Sequence, residues 1–176
     1  MKHLNLILII LILSCCPLHP AYAFFDKDIR LLTMRDGLAD NTIPCIYKDE
    51  DGFMWFGTDD GLSRYDGKTI QNFKPADTYA SVAAIVRLSD DFLGIVSDGY
   101  LYYFNRKQET FLPIHTESDT AIGVFNVLPV DDSSFWGISG NRLILCQWEI
   151  QQGKEEEKTA VRVRIQKTFQ LLEEKG

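Results

Sequence analysis

Between Asp51 and Gly67 the chain reads DGFMWFGTDDGLSRYDG, three Asp-Gly pairs separated by short apolar and aromatic runs. Asp-Gly supplies the positive φ that tight antiparallel turns require, so each pair closes a hairpin. The runs around them, Thr42–Lys48, Phe53–Thr58, Leu62–Tyr65 and Thr69–Lys74, predict a four-stranded antiparallel meander.

The unit recurs. Placing Thr58, Ser97 and Ser139 in register aligns Asp51 with Asp90 and Asp132, and Trp55 with Gly94 and Trp136, at offsets of 39 and 42 residues. The second unit then runs Ser81–Leu88, Phe92–Ser97, Gly99–Asn105 and Glu109–Ile114, and the third Ile122–Val130, Ser134–Ser139, Asn141–Ile150 and Thr159–Phe169. A period near 40 with four strands per repeat predicts β-propeller blades, and the fold class is all-β: a partial β-propeller of about three four-stranded antiparallel blades. Horseshoe repeats have shorter periods, and helical repeats would show a 3.6-residue pattern that is absent here.

The first 23 residues read as a leader. Lys2 supplies a positive start, Leu4–Leu13 an apolar stretch broken only by Asn5, and Ala21-Tyr22-Ala23 a small-x-small cleavage site, the pattern of a secretory signal peptide. The stretch is shorter than the ~20 apolar residues of a membrane span. A competing reading takes Ile12-Leu13-Ser14-Cys15 as a lipobox anchoring Cys15, although Leu13 is bulky where that pattern wants a small residue. Losing Lys2, the leader's one charge, takes the net from −7 to −8. That acidity, with no Lys/Arg cluster, argues against nucleic acid as a partner. Of four cysteines, Cys45 and Cys146 remain after the leader, too far apart in sequence for their spacing to predict a bridge; each reads as a small buried apolar residue.

The run Gly37-Leu38, Asn41-Thr42-Ile43, Asp51 to Thr58, Gly61-Leu62 and Arg64 to Gly67 closely resembles the two-component regulator propeller repeat. The positions that carry the motif are Gly52, Trp55, Gly57, Thr58, Gly61, Leu62, Tyr65, Asp66 and Gly67. The later units depart from it: Gly94 replaces the Trp, Ser97 and Ser139 the Thr, and Val96 and Ile138 the preceding Gly. The resemblance implies the periplasmic sensor region of a Bacteroides-type hybrid two-component histidine kinase, responding to oligosaccharides released from polysaccharides. Family members continue into an immunoglobulin-like domain, one transmembrane helix and a cytoplasmic kinase, none of which this sequence contains. The chain is therefore expected to have no kinase activity of its own. Other readings are a secreted carbohydrate-binding or carbohydrate-active propeller, and a truncated remnant without function.

The expected organisation is a leader over 1–23, an N-terminal strand within 24–41 that would close a ring, and blades over 42–80, 81–121 and 122–170, followed by a tail over 171–176. Trp55 to Phe73 is 18 residues and Trp136 to Phe169 is 33, so the third blade carries about fifteen extra, centred on a charged hairpin insertion over 151–158. Propellers normally take four to eight blades, so three expose apolar faces at either end. The expected partners are the remaining blades of a longer protein or another copy of the chain, with an oligosaccharide as ligand.

Catalytic readings are weaker. Asp59/Asp60, Asp90/Asp91 and Asp131/Asp132 resemble the paired carboxylates of glycosidases, yet all sit at predicted turns and turn chemistry explains them. Asp49-Glu50-Asp51-Gly52 has no downstream Glu at calcium-loop spacing. His115 is the one histidine outside the leader, and the glycines sit singly rather than in a phosphate loop. Neither catalytic, metal nor cofactor residues are expected. Phe53 and Trp55 share one strand face and read as interblade core, while Tyr100, Tyr102 and Tyr103 are the densest aromatic cluster.

Overall fold

The computed structural model describes residues 29–74, 80–116, 121–151 and 160–171. The chain divides into two units, 1–31 and 32–176; of the first, Ile29, Arg30 and Leu31 are described and carry no helix or strand. The predicted leader, Cys15 and residues 152–158 of the charged insertion lie outside the described residues.

The second unit is built from three antiparallel meanders. Blade 1 contains β1 (Cys45–Lys48), β2 (Met54–Thr58), β3 (Gly61–Tyr65) and β4 (Ile70–Phe73), paired in that order. Blade 2 contains β5 (Val82–Arg87), β6 (Phe92–Ser97), β7 (Tyr100–Asn105) and β8 (Thr110–Pro113), again in order. Two-residue β9 (His115–Thr116) follows, then blade 3 with β10 (Val127–Pro129), β11 (Ser134–Ser139), β12 (Arg142–Gln151) and β13 (Ala160–Gln170). Turn chemistry places the hairpins. Gly52, Gly61 and Gly67 all take positive φ, and at Asp98-Gly99 both residues do, at 49° and 79°.

Packing follows the alternation of side chains across each pleat. Trp55, Leu62 and Phe73 of blade 1 pack against Val82, Leu93, Ile95 and Phe104 of blade 2. Phe92, Val96, Leu101 and Tyr103 on the other face of blade 2 pack against Phe135, Ile144, Cys146 and Trp148 of blade 3. Strand β6, sandwiched from both sides, is buried at all of its positions. Where blade 1 carries Trp55, blade 2 has Gly94 because its space is filled: a Cβ there would lie 2.8 Å from Val86 Cγ2 and 3.1 Å from Leu88 Cδ2. Cys45 and Cys146 are both free thiols, and burial pushes them up to about 11 and about 12.

Two sequence expectations change, and a third, the ring-closing strand within 24–41, falls in part outside the described residues, which begin at Ile29. No strand forms over Leu32–Asn41; Thr33 caps a short 3-10 turn over Met34–Asp36, its hydroxyl accepting from Arg35 N–H while its own N–H donates to the Asp36 carboxylate at 2.9 Å. The capping box satisfies local backbone groups that a strand would have paired across a sheet. The long entry strand predicted over Ile122–Val130 shortens to Val127–Pro129, because Val124 N–H instead donates to Gly99 O in blade 2. Blade 3 gains a fifth strand, since β9 pairs in parallel with Arg162 and Val163 of β13 and shields part of that edge. His115 is thus an edge-pairing residue. Among the described residues no helix is long and apolar enough to cross a membrane.

Candidate functional site

The turns joining the first and second strands of each blade lie at one end of the sheets, and those of blades 1 and 2 enclose a polar cleft of about 240 Å³. Its floor is set by Asp49. Asp49 N–H donates to Phe53 O at 3.0 Å and Gly52 N–H to Asp49 O at 3.2 Å, closing the turn and directing the carboxylate inward. That buried carboxylate accepts from Phe53 N–H at 2.8 Å and from Trp55 Nε1 at 2.7 Å. It also accepts from Arg106 Nη2 of blade 2 at 2.9 Å.

Arg106 does more than balance one charge. Its guanidinium pairs with Asp51 and donates to Asp90 O at 2.7 Å, while its backbone N–H donates to Asp91 O at 2.8 Å. One side chain therefore holds the first turn of blade 1 and the first turn of blade 2 together. Arg87 forms the other wall. It pairs with Asp90 at 2.6 Å, Glu50 at 3.5 Å and Asp132 at 3.8 Å, one carboxylate from each of the three blades. The Asp90 hydrogen bond, aided by Glu50, raises the Arg87 pKa further. Burial pushes the Tyr47 phenol up, with the guanidinium charges of Arg87 and Arg106 opposing and the Asp49 and Glu50 carboxylates adding to the rise.

The motif residues sit in and behind this arrangement. Trp55 is fully buried and its indole N–H is spent on Asp49. Gly57 lies at a close approach of blades 1 and 2: an added Cβ would meet Cys45 Sγ of its own blade and lie 2.6 Å from Val82 O. Thr58 Oγ1 donates to Gly61 O at 2.9 Å and accepts from Asp60 N–H at 3.0 Å, bracing the β2–β3 turn at which Gly61 takes φ 113°. Leu62 is buried in the interblade core. Tyr65 OH donates to Gly67 O at 2.7 Å, and Asp66 accepts from the backbone N–H groups of Lys68 and Thr69. Gly52 supplies the φ of 90° that closes the Asp49 turn. The tyrosine cluster separates: Tyr102 packs toward blade 1, Tyr103 toward blade 3, and Tyr100 is exposed.

The paired acids are engaged in turns and ion pairs. Asp60 pairs with Lys74 and Asp91 with Lys107, Asp59 accepts from Ser81 Oγ, and Asp131 accepts from Ser133. A general acid needs a raised pKa. Every described carboxylate that is clearly perturbed, Asp40, Asp66 and Asp131, is instead pushed down by hydrogen bonds, first of all from backbone N–H groups. Among the described residues no group of three or more His, Cys, Asp or Glu could hold a metal ion. The arrangement can clamp blades and present charged hydrogen-bonding groups to a small polar molecule. The sequence does not single out Arg87 and Arg106, because the contacts that join them to Asp49, Glu50, Asp51 and Asp132 reach into other blades.

The architecture defines the class: consecutive blades of a β-propeller. Within it, residues 37–60, the entry to blade 1 and its first hairpin, match the family described as two component regulator propeller. No curated protein matches the chain in sequence. The fold is similar to the extracellular domain of BT3049 from B. thetaiotaomicron, described as a hybrid two component system, with TM-score 0.54 and 19% identity over 67% of this chain. It is also similar to the extracellular domain of BT4673 from B. thetaiotaomicron, described as a one component system, with TM-score 0.53 and 18% identity over 65% of this chain. The chain spans 18% of the first and 16% of the second.

Proposed function

We propose that this chain is an extracytoplasmic propeller segment of a hybrid two-component sensor, exported to the periplasm by the leader over 1–23, in which the propeller contributes to recognition of a polysaccharide-derived oligosaccharide. The observation that carries the reading is the family match at residues 37–60, which falls on the blade that supplies Tyr47, Asp49, Glu50 and Asp51 to the cleft. A sensor needs an element whose geometry a ligand can bias. The Arg106 and Arg87 contacts are suited to that role, since both join turns from different blades and a polar ligand in the cleft would compete for the same groups.

The test is thermal unfolding and calorimetric titration of the full chain with a panel of defined oligosaccharides. A ligand at a hundred times its Kd should add about 2.7 kcal/mol of stability. Saturable binding with no new reducing ends supports the reading. Release of reducing ends would replace it with a carbohydrate-active propeller. Folded protein that binds nothing on the panel would remove the oligosaccharide.

A further inference from the structure

The cleft between blades 1 and 2 has a charge pattern that bears on what it can hold. Asp49, Glu50, Asp51 and Asp90 line it together with Arg87 and Arg106, four carboxylates to two guanidiniums. Both guanidiniums are spent on the protein itself. Arg106 gives Nη2 to Asp49 and Asp51 and Nη1 to Asp90 O, and Arg87 gives Nη2 to Asp90, while its Nε lies 3.5 Å from Glu50 and its Nη1 3.8 Å from Asp132. The carboxylates are placed differently. The side chains of Glu50, Asp51 and Asp90 are 75%, 64% and 84% exposed, against 34% for Arg87 and 16% for Arg106. An entering molecule therefore meets more acceptor oxygen than guanidinium N–H.

Ligands of different charge fare differently against such a wall. An anion finds no unpaired guanidinium among the described residues that line the cleft, so binding it means pulling a carboxylate from its partner and setting like charges side by side. An ammonium meets carboxylates that each already have a guanidinium partner. A hydroxyl asks for less: a carboxylate offers about four lone-pair sites, so one that is already paired still accepts from an O–H in a charge-assisted bond. Tyr47 and Leu93 supply apolar surface for a sugar ring, and burial favours the neutral Tyr47 phenol, so this part of the wall adds no charge.

We propose that the cleft takes an uncharged oligosaccharide, held by hydroxyls that donate to Glu50, Asp51 and Asp90, and rejects acidic sugars, uronates and sulfated sugars alike. The inference rests on the oligosaccharide reading above and adds to it the charge class of the ligand.

Calorimetric titration of the full chain with matched pairs tests it: galactotriose against trigalacturonate, xylotetraose against the same backbone carrying a glucuronosyl branch, and N-acetylated against deacetylated chitotriose. In any pair that binds, the uncharged member should bind at least tenfold more tightly than its acidic counterpart, and the gap should narrow in about 0.5 M salt, where like-charge repulsion is screened. Glu50→Lys, at an exposed position, should narrow the gap to about threefold or less by placing a cation at the mouth of the cleft. Asp90→Asn, which frees Arg87 Nη2, should do the same, and far-UV circular dichroism checks that both variants fold. An acidic sugar that binds as tightly as its uncharged partner, or an ammonium form of chitotriose that binds more tightly than the acetylated one, would overturn the proposal while leaving the oligosaccharide reading in place. So would a gap that neither variant changes, since the sugar would then sit elsewhere. Folded protein that binds no member of any pair would remove the oligosaccharide reading, and this inference with it.

Discussion

Replacing Asp49 with alanine should be among the most damaging single changes on the polar side of this fold. The carboxylate is buried and accepts from Phe53 N–H, Trp55 Nε1 and Arg106 Nη2. Alanine leaves the buried Trp55 indole N–H without an acceptor, and a stranded buried donor costs about 1–3 kcal/mol. The Phe53 N–H loses its side-chain partner as well. Breaking a buried ion pair can cost about 3–5 kcal/mol, but Arg106 keeps Asp51 and Asp90 O, so only part of that applies. A loss of about 3 kcal/mol is the working figure, equivalent to a fall in Tm of roughly 6–12 °C for a chain of this size. Asp49→Asn should recover little, since the amide keeps one acceptor oxygen and turns its N–H donors toward groups that are themselves donors. Asp51→Ala is the control: its carboxylate is largely exposed, and exposed pairs contribute below about 1 kcal/mol. Urea unfolding followed by tryptophan fluorescence reads all three. If Asp49→Ala lies within about 0.5 kcal/mol of the parent, or costs no more than Asp51→Ala, the clamp is not holding the blades and the reasoning fails.

Gly57→Ala should destabilise by about 1–3 kcal/mol through overpacking against Cys45 of its own blade and Val82 of blade 2, whereas Gly52→Ala, with nothing within 4 Å but φ at 90°, should cost only about 1 kcal/mol of backbone strain; the reverse order in urea midpoints would contradict the tight packing around Gly57. Because burial raises Cys45 to about 11 and Cys146 to about 12, the contribution of the neutral thiols is complete below the ordinary thiol pKa of 9.0 and is lost as pH rises above it, so stability should fall from pH 9 upward. Iodoacetamide at pH 8.5 should label Cys146 only at the rate of unfolding, and rapid native labelling of Cys146 would contradict its burial. Asp66, held at about 2 against an ordinary 3.8, contributes above pH 3.8 and loses that contribution as pH falls through 2; Asp66→Asn should flatten this part of the acid-unfolding curve, and an NMR titration midpoint near 3.8 for Asp66 would remove the cause.

The architecture was legible because its determinants are local. An Asp-Gly pair needs no knowledge of the rest of the chain to close a hairpin, and strands between such pairs were placed to within a few residues; Phe92–Ser97 and Ser134–Ser139 have the bounds expected of them. Alternation also put Phe53 and Trp55 on one face, where both pack in the interface with blade 2. What the pattern could not carry is anything decided between blades. The bulge between Leu145 and Cys146, the parallel pairing of β9 with β13, and the contact of Arg106 with Asp49 across 57 residues depend on which segments the packing of the blades places side by side.

The clamp nevertheless had a trace in the repeat that only the coordinates make readable. Arg106 and Trp148 stand 42 residues apart, the same offset as Asp90 and Asp132. Arg106 Nη1 donates to Asp90 O at 2.7 Å, and Trp148 Nε1 donates to Asp132 O at 3.0 Å. A cation and an indole thus occupy one structural position, because what the position requires is a long side chain ending in an N–H that can reach the first-turn carbonyl. Residue identity hides this equivalence, since nothing in a single sequence says that Arg and Trp answer the same need. The difference between them then sets what each blade can do: Trp148 can only brace its own turn, whereas the second nitrogen of Arg106 is left to reach Asp49 and Asp51, and it is this spare donor that joins blade 2 to blade 1.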